Sequence, residues 1–131
     1  MSAPQTIADY MVTELVSLPI DLEINRAVAL LLDKRIPGAP VVDETGNLTG
    51  ILTKKDCFKA ALSASYYKQW GGTVGRYMTR EVQTLAAGTD IVSAAEAFLA
   101  SPYRLFPVME NGRLVGVLSR SDLLHAFRDI A

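Results

Sequence analysis

The sequence is short of the residues that most chemistry needs. It holds one cysteine, Cys57, and one histidine, His125, among 131 residues. A single thiol cannot close an internal disulfide, and it fits a reducing compartment. Cys57 aligns with an apolar position of an internal repeat and reads as a small core residue. A lone histidine with no second histidine or cysteine gives no metal-ligand set, so His125 reads as a surface residue. Charge of one sign is missing too: the net charge is −1 and both signs are scattered. That excludes the one-sided basic surface that grips a nucleic-acid backbone. Apolar runs such as Ala27 to Leu32 are far too short to span a bilayer, so no membrane segment is expected. Met1-Ser2-Ala3-Pro4-Gln5 lacks a basic stretch followed by an apolar one; no signal peptide is read there, and a cytoplasmic location is expected. The chain also lacks a nucleophile–base pair and a Walker-type phosphate loop. No catalytic residue, metal or required cofactor is therefore assigned, and an enzyme is the weakest of the functional classes.

What is present is a duplication. Thr6-Ile7-Ala8-Asp9-Tyr10-Met11 lies over Thr73-Val74-Gly75-Arg76-Tyr77-Met78. Further on, Ile24, Ala27, Val28, Leu31 and Leu32 match Ile91, Ala94, Ala95, Phe98 and Leu99, and Pro40-Val41 matches Pro107-Val108. After a one-residue deletion in the second copy, Gly46, Leu48, Gly50 and Asp56 meet Gly112, Leu114, Gly116 and Asp122. Two copies are too few for a solenoid. They suggest two similar halves, residues 6–64 and 73–130, with a connector at 65–72.

Each copy reads as the same series of elements. A short helix opens it, at Thr6–Met11 or Thr73–Met78, and an extended piece follows at Leu15–Leu18 or Val82–Leu85. The apolar spacing i, i+3, i+4, i+7, i+8 predicts a helix near 23–35 and 90–101. A strand at Ala39–Val42 or Phe106–Met109 then turns into a second at Leu48–Leu52 or Leu114–Leu118. The Asn111-Gly112 pair between the latter two is a strong hairpin signal. A final helix begins at Thr53 or Ser119. Met11 and Met78 read as core filler. Gly71-Gly72 reads as a joint. Before it, Tyr66, Tyr67 and Trp70 offer a partner surface or, the favoured reading, rings that cover the seam between the halves.

The second strand of each copy ends in one pattern: Gly50-Ile51-Leu52-Thr53-Lys54-Lys55-Asp56 and Gly116-Val117-Leu118-Ser119-Arg120-Ser121-Asp122. A hydroxyl followed three residues later by a carboxylate at a helix start matches a capping box. The same geometry suits a nucleotide. A helix N-terminus offers N–H groups to phosphate, and a carboxylate accepts bonds from neighbouring ribose hydroxyls. A cap can also bind.

The duplicated series of helix, Pro-Val strand, Gly-containing turn and Gly-x-x-[Thr/Ser]-x-x-Asp resembles a tandem pair of CBS (cystathionine beta-synthase) domains, the Bateman module. The resemblance implies a mixed α/β (α+β) fold of two β-α-β-β-α repeats about a pseudo-two-fold axis. It implies two clefts that take AMP, ADP, ATP, S-adenosylmethionine or related ligands. Carried over by position, Asp56 and Asp122 would hold ribose, with Thr53 and Ser119 as hydroxyl partners and Gly50 and Gly116 giving close backbone approach. Ile36, Gly38 and Ala39 in one copy, and Tyr103, Arg104 and Leu105 in the other, would line the base pocket. Ser17 and Thr84 would serve the base from the extended pieces, and Lys54 and Arg120 would supply charge. Arg104 suits a phosphate, whereas the first copy has Pro37 there, so unequal sites are expected. The resemblance further implies a homodimer, and a signal that passes by conformational shift to a separate effector protein. The alternative is a structural or interaction module whose clefts bind no nucleotide.

Overall fold

The structure is a computed structural model that describes residues 5–130. In the first series of elements a 3-10 turn at Ile7–Asp9 precedes β1 (Leu18–Pro19), α1 (Ile24–Lys34), β2 (Gly38–Val42), β3 (Leu48–Thr53) and α2 (Lys54–Tyr67). The second series is α3 (Val74–Tyr77), β4 (Leu85–Ala86), α4 (Ile91–Leu99), β5 (Leu105–Glu110), β6 (Arg113–Ser119) and α5 (Arg120–Ile130). The extended pieces become strands of only two residues, at the C-terminal edge of where the sequence predicts them. The first opening helix tightens into a 3-10 turn.

Each series yields a three-stranded sheet with β2 or β5 in the centre. The outer strand β1 runs parallel to β2, and β3 runs antiparallel to it. The second sheet repeats this with β4, β5 and β6. The expected hairpin between β5 and β6 forms: Asn111 and Gly112 both take positive φ, 52° and 77°. Two successive left-handed residues give a tight turn whose twist matches that of the strands. The longer turn between β2 and β3 is tied instead by Asp43, whose Oδ1 accepts from the Thr45 and Asn47 amides at 2.9 Å each. Those bonds, the Asn47 amide first, hold its carboxyl below the usual range.

The predicted apolar stripes are the buried ones. On α1 they are Ile24, Ala27 and Leu31, and on α4 Ile91, Ala94 and Phe98. Asp90 caps α4 by accepting from the Ser93 amide at 2.7 Å. Cys57 is buried in the first core, where desolvation pushes its thiol pKa up. His125 is exposed.

The chain divides into two compact units, and their boundaries do not follow the repeat. One unit runs Val16–Val82; among the described residues the other joins Gln5–Leu15 with Gln83–Ile130. Each opening segment thus packs with the other copy's sheet. Ile7 is fully buried in a cluster with Ile91, Phe98, Phe106 and Leu118. Val74 is fully buried with Leu18, Ile24, Leu31 and Leu52. Gly71-Gly72, read from the sequence as a joint between halves, lies inside the Val16–Val82 unit. There the Gly72 carbonyl accepts from the Ile24 amide at 3.1 Å, and the Gly71 carbonyl from the Tyr77 hydroxyl at 3.1 Å. α2 runs through Tyr66 and Tyr67, which are exposed, and Trp70 beyond its end is exposed as well.

The exchange is completed at the sheet edges. A residue two or three positions beyond each opening element lies alongside β3 or β6 and trades two backbone hydrogen bonds with it. Thr79 does so with Ile51 at 2.9 Å both ways, and Val12 with Val117 at 2.9 and 3.0 Å. This explains the prolines. Pro40 pairs with Ile51 and Pro107 with Val117. Since Ile51 and Val117 turn both polar groups outward, each proline sits at a non-hydrogen-bonded pair and its missing N–H removes nothing from that ladder. The approach also needs glycine. A Cβ on Gly50 would stand 2.7 Å from the Thr79 carbonyl oxygen and 2.8 Å from the Met78 sulfur. A Cβ on Gly116 would stand 2.6 Å from the Met11 sulfur and 3.0 Å from the Val12 carbonyl oxygen. The space above both glycines is therefore filled by the chain's own backbone and methionines. Gly50→Ala is expected to destabilise the protein by about 1–3 kcal/mol through overpacking, read as a lower denaturation midpoint at unchanged m-value; an unaltered midpoint would show that the edge segment yields freely.

Candidate functional site

The sheets deliver both candidate carboxylates to equivalent places, one in each unit. In the Val16–Val82 unit, β3 ends at Thr53, which caps α2 in a reciprocal box. The Asp56 amide donates to Thr53 Oγ1 at 3.3 Å, while the Thr53 amide donates to Asp56 Oδ2 at 3.0 Å. The Thr53 hydroxyl adds a bond to the same oxygen at 3.1 Å. In the other unit, the Asp122 amide donates to Ser119 Oγ at 3.2 Å and the Ser119 amide to Asp122 Oδ2 at 2.8 Å. The capping reading of the duplicated motif is thus realised in both copies.

The loops expected beside the carboxylates do lie there, because strand register and backbone bonds bring them. Gly38 pairs with Thr53, and the Lys54 amide donates to the Pro37 carbonyl at 3.1 Å. Leu105 pairs with Ser119, the Arg120 amide donates to the Arg104 carbonyl at 3.3 Å, and the Arg120 guanidinium donates to the Tyr103 carbonyl at 3.4 Å. Arg104, Lys54 and Arg120 are exposed, and Ile36 and Tyr103 are half-buried. Ala39 and Leu105 are buried, with Ala39 in the first core cluster. Ser17 and Thr84 are exposed, each one residue before its outer strand, β1 and β4. Those strands occupy the far edge of each sheet from β3 and β6. Among the described residues no three His, Cys, Asp or Glu side chains gather as a metal would require.

The two carboxylates differ in one respect that motif reading missed. Asp56 is 3% exposed, and the Thr79 hydroxyl lies 3.2 Å from each of its oxygens. Asp122 is half-buried, and its Oδ1 accepts no hydrogen bond from the described residues. The position equivalent to Thr79 is Val12, which has no hydroxyl to give. The signal was in the duplication: Thr79 aligned with Val12 is a polar–apolar mismatch directly after Met78 and Met11.

A duplicated β-α-β-β-α unit, each copy closing on a helix capped by its own hydroxyl–carboxylate box, defines a tandem repeat module. The chain belongs to the CBS-domain family: the family model of the CBS domain matches residues 7–63 and again 74–129. Solved CBS pairs share the fold. The structure of CBSX2 from Arabidopsis thaliana in complex with AMP is 28% identical, covers 95% of this chain and 97% of that one, and superposes with a TM-score of 0.83. The CBS domain pair of protein MJ0100, in complex with 5'-methylthioadenosine and S-adenosyl-L-methionine, is 25% identical over 94% of this chain and 99% of that one, with a TM-score of 0.81. A curated relative, the uncharacterized protein MJ1225 of Methanocaldococcus jannaschii, is 25% identical over 92% of this chain. This chain spans 42% of that relative's length.

The differing surroundings of the two boxes set an expectation for stability. Thr53→Ala removes the partner of a buried carboxylate and is expected to cost about 2 kcal/mol, whereas Ser119→Ala beside a half-buried one should cost about 1 kcal/mol. Chemical denaturation of the two variants measures the difference, and equal losses would show that the two carboxylates are alike in solution.

Proposed function

We propose that this chain is a regulatory module that binds an adenosine-containing ligand, of the class AMP, ADP, ATP or S-adenosylmethionine, and catalyses nothing. One observation carries the reading. Asp122 is fixed by its Oδ2 at the start of α5 while its Oδ1 is left to accept from a ligand. A carboxylate so placed suits the adjacent hydroxyls of a ribose. Exposed Arg104, tied to the first residue of α5 through its own carbonyl, stands where a phosphate would profit from both the guanidinium and the helix N-terminus. Tyr103 and Ser119 complete this side. Thr53, Asp56, Lys54, Ile36 and Gly38 form the matching set in the other unit. The adenosine ligands of CBSX2 and of the MJ0100 pair support the choice of ligand class.

The ligand acts by favouring one conformation of the module. It can shift that balance only by its difference in affinity between the two states. The signal passes to a separate effector protein or to a second copy. A second copy has a surface to use: Phe58, Leu62 and Tyr66 follow one another at i, i+4 and i+8 on α2 and are 69%, 71% and 87% exposed. A lone buried thiol and the absence of any helix able to cross a membrane among the described residues fit a cytoplasmic setting.

A ligand at a hundred times its dissociation constant adds about 2.7 kcal/mol if it binds only the folded state, enough to raise the melting temperature by several degrees. A thermal-shift panel of AMP, ADP, ATP, NAD and S-adenosylmethionine tests the class. Asp122→Ala is expected to abolish the shift, and Arg104→Ala to weaken AMP more than adenosine. No shift with any ligand would leave the carboxylates as caps alone and the chain as an interaction module. For the second copy, Leu62→Asp is expected to convert a dimer to a monomer in sedimentation equilibrium; a monomeric wild type would rule the dimer out.

A further inference from the structure

We propose that Thr79 is a built-in occupant of the Asp56 carboxylate, so that the module takes its adenosine ligand at Asp122 and keeps the Asp56 side closed. The inference rests on the ligand-binding reading above and assigns which of the two equivalent sites works and which residue decides it.

The argument is one of lone pairs and backbone placement. Two carboxylate oxygens offer about four acceptor sites between them. At Asp56 the Thr53 amide, the Thr53 hydroxyl and the Thr79 hydroxyl already supply donors, and the group is 3% exposed. A ribose diol would have to displace Thr79, yet Thr79 is not free to swing away as a loop residue would be. Its amide and carbonyl are both bonded to Ile51, and the absence of a side chain on Gly50 lets it lie that close. At Asp122 the same backbone arrangement is present, with Val12 bonded to Val117 over Gly116. There the side chain is apolar and 48% exposed, and Asp122 Oδ1 is left without a donor among the described residues. The two sites thus share a scaffold and differ at one hydroxyl. Arg104, with Pro37 as its counterpart, places the phosphate partner on the same side as the open carboxylate.

Because the scaffold is shared, the hydroxyl should be transferable. Calorimetric titration of the full chain with AMP is expected to give one AMP per chain, and Asp122→Asn to remove it. Thr79→Val should open a second site, giving two AMP per chain. Val12→Thr, on an exposed position where folding is not at risk, should close the first, weakening AMP on the order of tenfold to a hundredfold, as expected when a bond to a charged group must be exchanged. Two equivalent AMP sites in the wild type, or one AMP site that survives both Asp122→Asn and Val12→Thr, would overturn this assignment and leave the ligand-binding reading standing. No AMP bound by the wild type or by Thr79→Val, together with no response to the other adenosine ligands, would overturn both. If Thr79→Val does not fold, the Val12→Thr result decides alone.

Discussion

Two pairs of backbone hydrogen bonds, Thr79 with Ile51 and Val12 with Val117, hold the rest of the architecture to its plan. Each adds an isolated bridge to the outer edge of β3 or β6, next to the turn into the final helix. The bridge satisfies polar groups that an edge strand would otherwise present to a partner. It carries Met78 or Met11 over a glycine, and it draws Val74 or Ile7 into a core built by the other copy of the repeat. A side chain on either glycine would meet backbone oxygen at 3.0 Å or less, so the bridge and the glycine require each other.

The consequence for the site is geometric. In the Val16–Val82 unit the carboxylate three residues into the final helix and the residue in the bridge become neighbours although they are 23 positions apart; in the other unit Val12 holds the equivalent place in the bridge. In the first case the bridge residue donates, and the carboxylate is buried with hydrogen bonds to both oxygens. In the second the equivalent residue, Val12, has no hydroxyl to donate. A buried carboxylate without donors would be costly, and the structure avoids that cost by leaving Asp122 half-buried. Among the described residues no buried side-chain polar atom lacks a partner. Capping and binding are therefore not rival accounts of the motif. Both copies cap, and only the surroundings of the cap decide whether an oxygen is left over.

The CBS family is legible in this chain because its signals are local and occur twice. Apolar spacing on α1 and α4, the Asn-Gly turn, and the hydroxyl–carboxylate box each follow from a few consecutive residues, and each is found where the sequence places it. Several readings failed for the opposite reason. The faces that Ala39 and Leu105 present are set by the sheet, so their burial is not legible from neighbours in sequence. Tyr66 and Tyr67 were expected to bury their rings, but helix propagation past Ala64 carries them onto an exposed turn. Gly71-Gly72 reads as a joint, yet α2 already ends at Tyr67 with Lys68 as its left-handed cap, and the Gly72 carbonyl is bonded to the first residue of α1 within the same unit.

By itself the sequence determined the repeat, the order of helices and strands within it, the turn chemistry, and the two capped carboxylates, since all of these depend on interactions spanning a few residues. Only the tertiary structure decided which opening segment completes which sheet, and with it that a hydroxyl reaches Asp56 while Asp122 keeps one oxygen without a donor among the described residues. Such pairings join residues far apart along the chain. They depend on how the cores close, and periodicity and motif spacing carry no record of that.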